Sequence, residues 1–362
     1  MRRLLLILAV FTAQFFAFEF GMRAAGGSEA APAFQRLFMP DPRMGHRLRP
    51  GARTHFATPE FAADIAISAQ GVRGPDLPAK APGERRVAVL GDSLVLAVQV
   101  QQPETFVAGL EARLNAAGTA GVRWRAINGG VQGYGPVEEL LFYRDVVAPL
   151  DPDVLLVMVF VANDAIETLD SAWRLEAGDD RLARAQTESA GTVRRWVRRS
   201  MVLQQVRLRV NDVLDWLRPS SPTISRPLAT YVAQPPEEVP RGIAKARDVL
   251  AQLAREAEAR GTRVGLVLVP ARFQLNDTDF GHMRRTVEAA GGTLLRDAAT
   301  ERFAAALAPL GLPMLDLLPV LRAQPQPAGL FFEQNIHFTV RGHQVVADAL
   351  ARFVVESGLA RP

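Results

Sequence analysis

Two stretches of the chain stay apolar for the length of a strand: Val154–Val161, and Arg263–Val269 after its first residue, which stops at Pro270. A strand wetted on one face would alternate, so such runs predict strands covered on both faces. A shorter run at Val87–Leu90 ends in Gly91, another lies at Trp124–Ile127, and a weaker fifth at Pro313–Leu317. Between them the apolar spacing turns helical, over Glu104–Ala116 and Val137–Val147, and Arg341–Val355 closes the chain as a helix. Strands separated by helices predict parallel βαβ units with helices on both faces of one sheet.

Three regions depart from this rhythm. In residues 1–23, Arg2 and Arg3 precede a stretch from Leu4 to Phe18 that is apolar apart from Thr12 and Gln14, and Glu19 and Arg23 close it. This has the charged start and short apolar centre of an export signal. Spanning a bilayer takes about 20 apolar residues, with roughly 17 as the lower bound. A cleaved signal peptide and an uncleaved signal-anchor both fit, the anchor better, because no small-x-small site ends the apolar part. Either would export the rest of the chain, the two arginines staying inside. Residues 24–84 are rich in Pro, Gly and Arg with short alternating stretches such as Asp64-Ile65-Ala66-Ile67, and are expected to form a linker and an irregular, partly β lead-in. The main domain is expected over 85–362. An insertion at about 165–239 is too long for an ordinary connection and must carry structure of its own. Within it, Thr192–Leu217 has an apolar face at helical spacing and an opposite face with Arg194, Arg195, Arg198, Arg199, Arg207 and Arg209. A cap helix with a solvated Arg face and a helix lying on a membrane or acidic polymer are the two readings, the cap being favoured.

Composition narrows the chemistry. The 362 residues are 48% hydrophobic and 22% charged, a globular balance, and they include no Cys. Thiol nucleophiles, disulfides and thiolate metal sites are thereby excluded. Net charge is only +4, and Lys80 and Lys245 are the sole lysines, so the excess of Arg is not by itself a nucleic-acid footprint.

Chemistry-bearing residues cluster where strands end. The first strand runs into Gly91-Asp92-Ser93-Leu94, which sets a Ser at a strand-to-helix turn. After the second comes Asn128-Gly129-Gly130-Val131-Gln132-Gly133-Tyr134-Gly135, without the Lys-Ser/Thr ending or spacing of a phosphate loop. Val161-Ala162-Asn163-Asp164 follows the third, and Glu333-Gln334-Asn335-Ile336-His337 precedes the last helix. Of five histidines only His337 falls on a loop at this edge; His343, in the first turn of the last helix, suits packing. In this order the blocks resemble the SGNH (GDSL-type) hydrolase superfamily of esterases, lipases and carbohydrate acyl-esterases, over roughly Arg85 to Ala351. The segment Ala69-Gln70-Gly71-Val72-Arg73-Gly74 is similar to one upstream of the Ser block in membrane-anchored bacterial members.

The resemblance implies a flavodoxin-like three-layer α/β/α fold with a central parallel sheet of about five strands, plus the helical insertion and the N-terminal signal-anchor helix. It makes Ser93 the nucleophile, His337 the general base, and Gly133 and Asn163 the oxyanion donors beside the Ser93 N–H. A Ser hydroxyl needs an adjacent base to become nucleophilic, and the developing oxyanion needs fixed donors. One position departs from the pattern. Where the family has an Asp just before the His, this chain has Asn335 and Gln334. Glu333 or Asp316 reaching His337, a Ser–His dyad, and a silent site that binds a glycan or acyl ligand remain three readings. The expectation is a Ser-dependent acyl-ester hydrolase or O-acyltransferase, without cofactor or metal, on a small-molecule or glycan ester. It would be held in the inner membrane with its catalytic domain in the periplasm, with no nucleic-acid partner; oligomeric state is left open.

Overall fold

Five strands, buried along most of their length except for β9 and the start of β6, form one parallel sheet: β5 (Glu84–Gly91), β6 (Arg123–Gly130), β7 (Val154–Phe160), β8 (Arg263–Val269) and β9 (Met314–Asp316). The structure, a computed structural model, describes residues 30–118, 122–175 and 224–361. Residues 1–23 and the amphipathic stretch Thr192–Leu217 lie outside the described residues. Among the described residues no helix is long and apolar enough to cross a membrane.

The strand order is β6-β5-β7-β8-β9, the doubly wound order in which the chain leaves its first strand in one direction and then reverses. β7 is buried at all seven positions, which is why it reads as an unbroken apolar run. The helices of the main domain are α2 (Ser93–Leu96), α3 (Phe106–Ala116), α4 (Pro136–Phe142), α5 (Asp164–Ser171), α6 (Arg226–Ala229), α7 (Glu238–Glu258), α8 (Asp277–Ala289), α9 (Ala298–Leu307), α10 (Leu317–Arg322) and α11 (Val340–Glu356), with α1 (Ala30–Gln35) preceding them. α3 and α11 pack together on one face; on the other α4, α5 and α7 contact one another, and α9 packs on α7. The predicted helix over Val137–Val147 is divided: α4 ends at Phe142 and a π turn carries Tyr143–Val147.

The lead-in is two antiparallel hairpins, β1 (Phe38–Asp41) with β2 (Gly45–Leu48) and β3 (Arg53–Ala57) with β4 (Ala62–Ala66). Beyond them Arg73 bridges antiparallel to Asn128, its N–H donating to the Asn128 carbonyl at 3.2 Å, and so covers part of the open edge of β6. The tip of the second hairpin touches the segment before α11. Phe61 packs on Phe332 with ring centroids 5.4 Å apart, and Glu60 accepts the Gln334 N–H at 2.8 Å.

Candidate active site

Reversal of strand order leaves a crevice at the C-terminal ends of β5, β6 and β7, and three of the four motif blocks emerge there. Ser93 begins α2 directly after β5 and is 8% exposed. Asp92 caps that short helix, its carboxylate accepting the Leu94 N–H at 2.8 Å. α2 lies hard against the end of β6: a Cβ on Gly130 would sit 2.1 Å from the Leu96 nitrogen, so only glycine fits. Asn128 ties the two elements, donating to the Val95 carbonyl at 2.8 Å while its own oxygen accepts the Gly130 N–H.

Arg73 holds the other end of α2. Its guanidinium, 3% exposed, donates to the carbonyls of Leu96, Ala97 and Val100, the last at 2.6 Å. Ala97 there is left-handed, at φ 55°. Burial lowers the Arg73 pKa to about 10, leaving it charged at neutral pH. The placement of Ser93 thus depends on a residue of the lead-in.

Gly133 follows β6 at φ 67°, a conformation that favours glycine, with open space where a Cβ would be. No acceptor within the described residues takes the N–H of Ser93 or of Gly133. Asn163 follows β7 at the N-cap of α5, and its side-chain oxygen is buried without a partner.

His337 stands in a loop closed by two contacts, Phe332 N–H to the His337 carbonyl at 3.0 Å and a bridge between Phe331 and Phe338. Arg272, just beyond β8, donates to the carbonyls of Phe332 and Glu333 and so fixes the loop to the C-terminal end of the sheet. Thr339 then caps α11, accepting the Gly342 N–H. His337 is 9% exposed, and burial alone lowers its pKa to about 4. Asn335 resolves the departure seen in the sequence. Its Oδ1 meets His337 Nδ1 and also accepts the His337 backbone N–H at 3.1 Å. An oxygen taking that N–H is an acceptor toward the ring as well, so Nδ1 carries the proton and Nε2 the lone pair. Nε2 is buried with no partner.

Asp316 is occupied elsewhere, capping α10 through Leu318 N at 2.8 Å, and Glu333 is exposed; neither is joined to His337. No hydrogen bond joins Ser93 to His337. In unliganded sites such bonds are often long, tightening only with substrate. His343 packs as expected, 1% exposed, accepting the Phe106 N–H at 3.2 Å and stacking on that ring.

Sequence reasoning missed the acids beneath this edge. Asp92, Glu138, Glu139, Asp164 and Glu167 are brought together from the end of β5, α4 and α5. Burial, first, and their mutual repulsion raise the carboxyls: Asp92 to about 6 by burial, opposed by its hydrogen bonds, and Glu167 to about 8. Glu139 and Asp164 are pushed well above the ordinary range by the same causes. No short-range motif marks the group, because it forms only when three strand ends converge.

A family model described as an SGNH hydrolase-like domain, acetyltransferase AlgX, matches residues 229–361, which include the His337 block and not Ser93. Curated proteins yield no match to this sequence. Similar solved structures include TesA, 15% identical, covering 75% of this chain and 98% of that one at TM-score 0.40. A lipase/acylhydrolase from Enterococcus faecalis is 14% identical, covering 75% and 96% at TM-score 0.40. The acetyl xylan esterase AlAXEase is 13% identical, covering 73% and 97% at TM-score 0.39. The family match over the C-terminal part of the chain, taken with four motif blocks on a sheet of doubly wound order, makes the chain similar to SGNH hydrolase-like domains.

Proposed function

We propose that this protein is a Ser-dependent acyl-ester hydrolase or O-acyltransferase working through an acyl-enzyme on Ser93. The observation that carries the reading is the His337 ring: Asn335 fixes its proton on Nδ1 and leaves a bare, unpartnered Nε2. In the proposed reaction Nε2 takes the Ser93 proton as Oγ attacks the acyl carbon. The carbonyl oxygen becomes an oxyanion among the N–H groups of Ser93, Gly133 and Asn163. Collapse expels the alcohol, which leaves with the proton from His337. Water or a sugar hydroxyl then takes the acyl group by the same steps reversed, which is why hydrolysis and transfer share one site. Losing one such oxyanion donor costs about 10²–10³ in rate.

A cell-envelope or exported carbohydrate ester is the proposed substrate, with residues 1–23 as an inner-membrane anchor and the domain in the periplasm. Support for this is the charged-then-apolar pattern of residues 1–23 and the acetyltransferase named in the matching family model. Protease accessibility in spheroplasts tests the placement: protection of the domain would overturn it.

A fluorophosphonate probe, which reacts only with an activated Ser, tests the chemistry on the full chain in detergent. Labelling lost in both Ser93→Ala and His337→Ala is the expected result. The neutral Asn335 favours one alternative, a silent member that binds a glycan or acyl ligand. Absence of labelling in folded protein would establish that alternative over catalysis.

A further inference from the structure

The backbone after β6 turns at Val131–Tyr134, where the Tyr134 N–H donates to the Val131 carbonyl at 3.3 Å. Gln132 keeps a negative φ and Gly133 takes φ 67°, the combination of a type II turn. A type I turn over the same four residues differs by a flip of the middle peptide, which consists of the Gln132 carbonyl and the Gly133 N–H. Glycine tolerates either sign of φ, so the turn does not by itself choose between the two. His46 comes to this peptide from β2, 86 positions away, with its Nε2 2.9 Å from the Gln132 carbonyl oxygen. A carbonyl only accepts, so Nε2 carries the proton and donates. No other donor among the described residues takes that oxygen.

We infer that His46 is a positioning residue for the oxyanion hole: by holding the Gln132 carbonyl it locks the middle peptide of the turn, with the Gly133 N–H turned to the acyl oxygen. In a trans peptide the carbonyl and the N–H point in opposite directions, so one bond to the oxygen orients the donor. The inference rests on the reading of Gly133 as an oxyanion donor. That N–H has no acceptor among the described residues, as a donor kept for a substrate requires. His46 acts through the peptide and not on the substrate.

The hairpin and the turn grip each other. Tyr134, 1% exposed, donates its hydroxyl hydrogen to the His46 carbonyl at 2.5 Å, so a side chain from each segment holds the backbone of the other. The imidazole packs against Tyr134 and Phe38, with ring centroids 5.5 and 5.4 Å away. Burial, first, lowers the His46 pKa against the opposing effects of the Gln132 bond and Asp41, and Arg174 adds to the fall. The ring is therefore neutral at pH 7, with its one proton on Nε2. Without that donor nothing fixes the Gln132 carbonyl, and a peptide flip withdraws the Gly133 N–H from the oxyanion position.

The test is the rate of fluorophosphonate labelling of the full chain in detergent at pH 7, for wild type, His46→Gln and His46→Phe. Gln carries an amide N–H that can take the place of Nε2 but lacks the ring, so His46→Gln should label within about fivefold of wild type. Phe keeps the ring packing and lacks the donor, so His46→Phe should label about tenfold or more slowly, because one oxyanion donor is withdrawn. A role in packing alone predicts the reverse order. Wild-type labelling of His46→Phe, or labelling of His46→Gln as slow as that of His46→Phe, overturns the inference. His46→Leu, equally without a donor, is measured beside them, so that a misfolded His46→Phe leaves the comparison with Gln intact. Failure of the underlying reading looks different: Ser93→Ala would still label, or Gly133→Pro, which has no N–H, would label like wild type.

Discussion

Replacing Asn335 by Asp should accelerate the proposed chemistry. Asn335 already does half of what an Asp would do, because its Oδ1 selects the tautomer that leaves Nε2 free. In serine proteases the Asp-to-Asn change costs about 10⁴, largely through the wrong tautomer, a fault absent here. What Asn335 cannot do is stabilise the imidazolium. Burial lowers the His337 pKa from 6.5 to about 4, a penalty on the charged ring of about 3 kcal/mol. A carboxylate about 4 Å away, at an effective dielectric near 20, returns about 4 kcal/mol, less the cost of placing its own charge at a half-buried position. If roughly half of the recovered stability appears in the barrier, the gain is on the order of 10–100-fold. Labelling rates between pH 4 and 8 provide the assay. Wild type should hold its rate down to near the low pKa of His337, and Asn335→Asp should be faster at pH 7 with its acid limb moved upward. Unchanged rate and unchanged limb would refute Asn335 as the partner of His337.

Other expectations follow from the packing around Ser93. Arg73→Met should remove the donors from three buried carbonyls and cost about 3 kcal/mol or more, read as a lower denaturation midpoint together with lost labelling. Gly130→Ala should cost about 3 kcal/mol because its Cβ meets backbone, whereas Gly133→Ala, in open space at positive φ, should cost about 1–2 kcal/mol; parallel melts compare them. Stability should rise as pH falls from 8 to about 6. A carboxyl raised in the folded state loses stability as pH rises from its unfolded value to its folded one, and Glu167 alone contributes about 1 kcal/mol per unit there. His337 and His343, lowered to about 4 and about 3, act oppositely below 6.5, but more carboxyls are raised than histidines lowered. A denaturation midpoint that is flat or higher at pH 8 than at pH 6 would contradict this.

The sheet was legible because each of its strands is a local signal. β7 begins where its apolar run begins and β8 one residue before its run, since burial on both faces leaves almost no polar position to blur the pattern. The same locality made Ser93, Gly133, Asn163 and His337 visible, each at a strand or helix end. α7 carries a clear helical stripe, Val239, Ile243, Ala246, Leu250 and Leu253, yet the sequence reading gave its start to the insertion, because nothing marks a boundary at Glu238. The π turn after α4 had no local mark either. Arg73 carries no local mark of its own, since its role lies in carbonyls more than 20 positions away. Asn335 illustrates the opposite limit. Its type was plain and its consequence was not, because tautomer choice depends on which end of the amide faces the ring.

The two sides of the site manage charge in different ways. An oxyanion beside an ionised carboxylate is opposed by about 4 kcal/mol at 4 Å and an effective dielectric near 20. Burial lessens that opposition by raising the Glu139, Asp164 and Glu167 carboxyls, Glu167 to about 8, which favours their neutral forms. On the base side no carboxylate perturbs His337; burial is the only cause of its shift. The imidazolium and the oxyanion must therefore be stabilised by each other and by N–H donors, inside a window bounded below by His337 and above by Glu167. Because separate groups set the two bounds, Asn335→Asp should move only the acid limb of the labelling profile and Glu167→Gln only the alkaline one. A single substitution that moved both limbs would mean that base and oxyanion sides titrate as one unit, and the division drawn from their separate surroundings would fail.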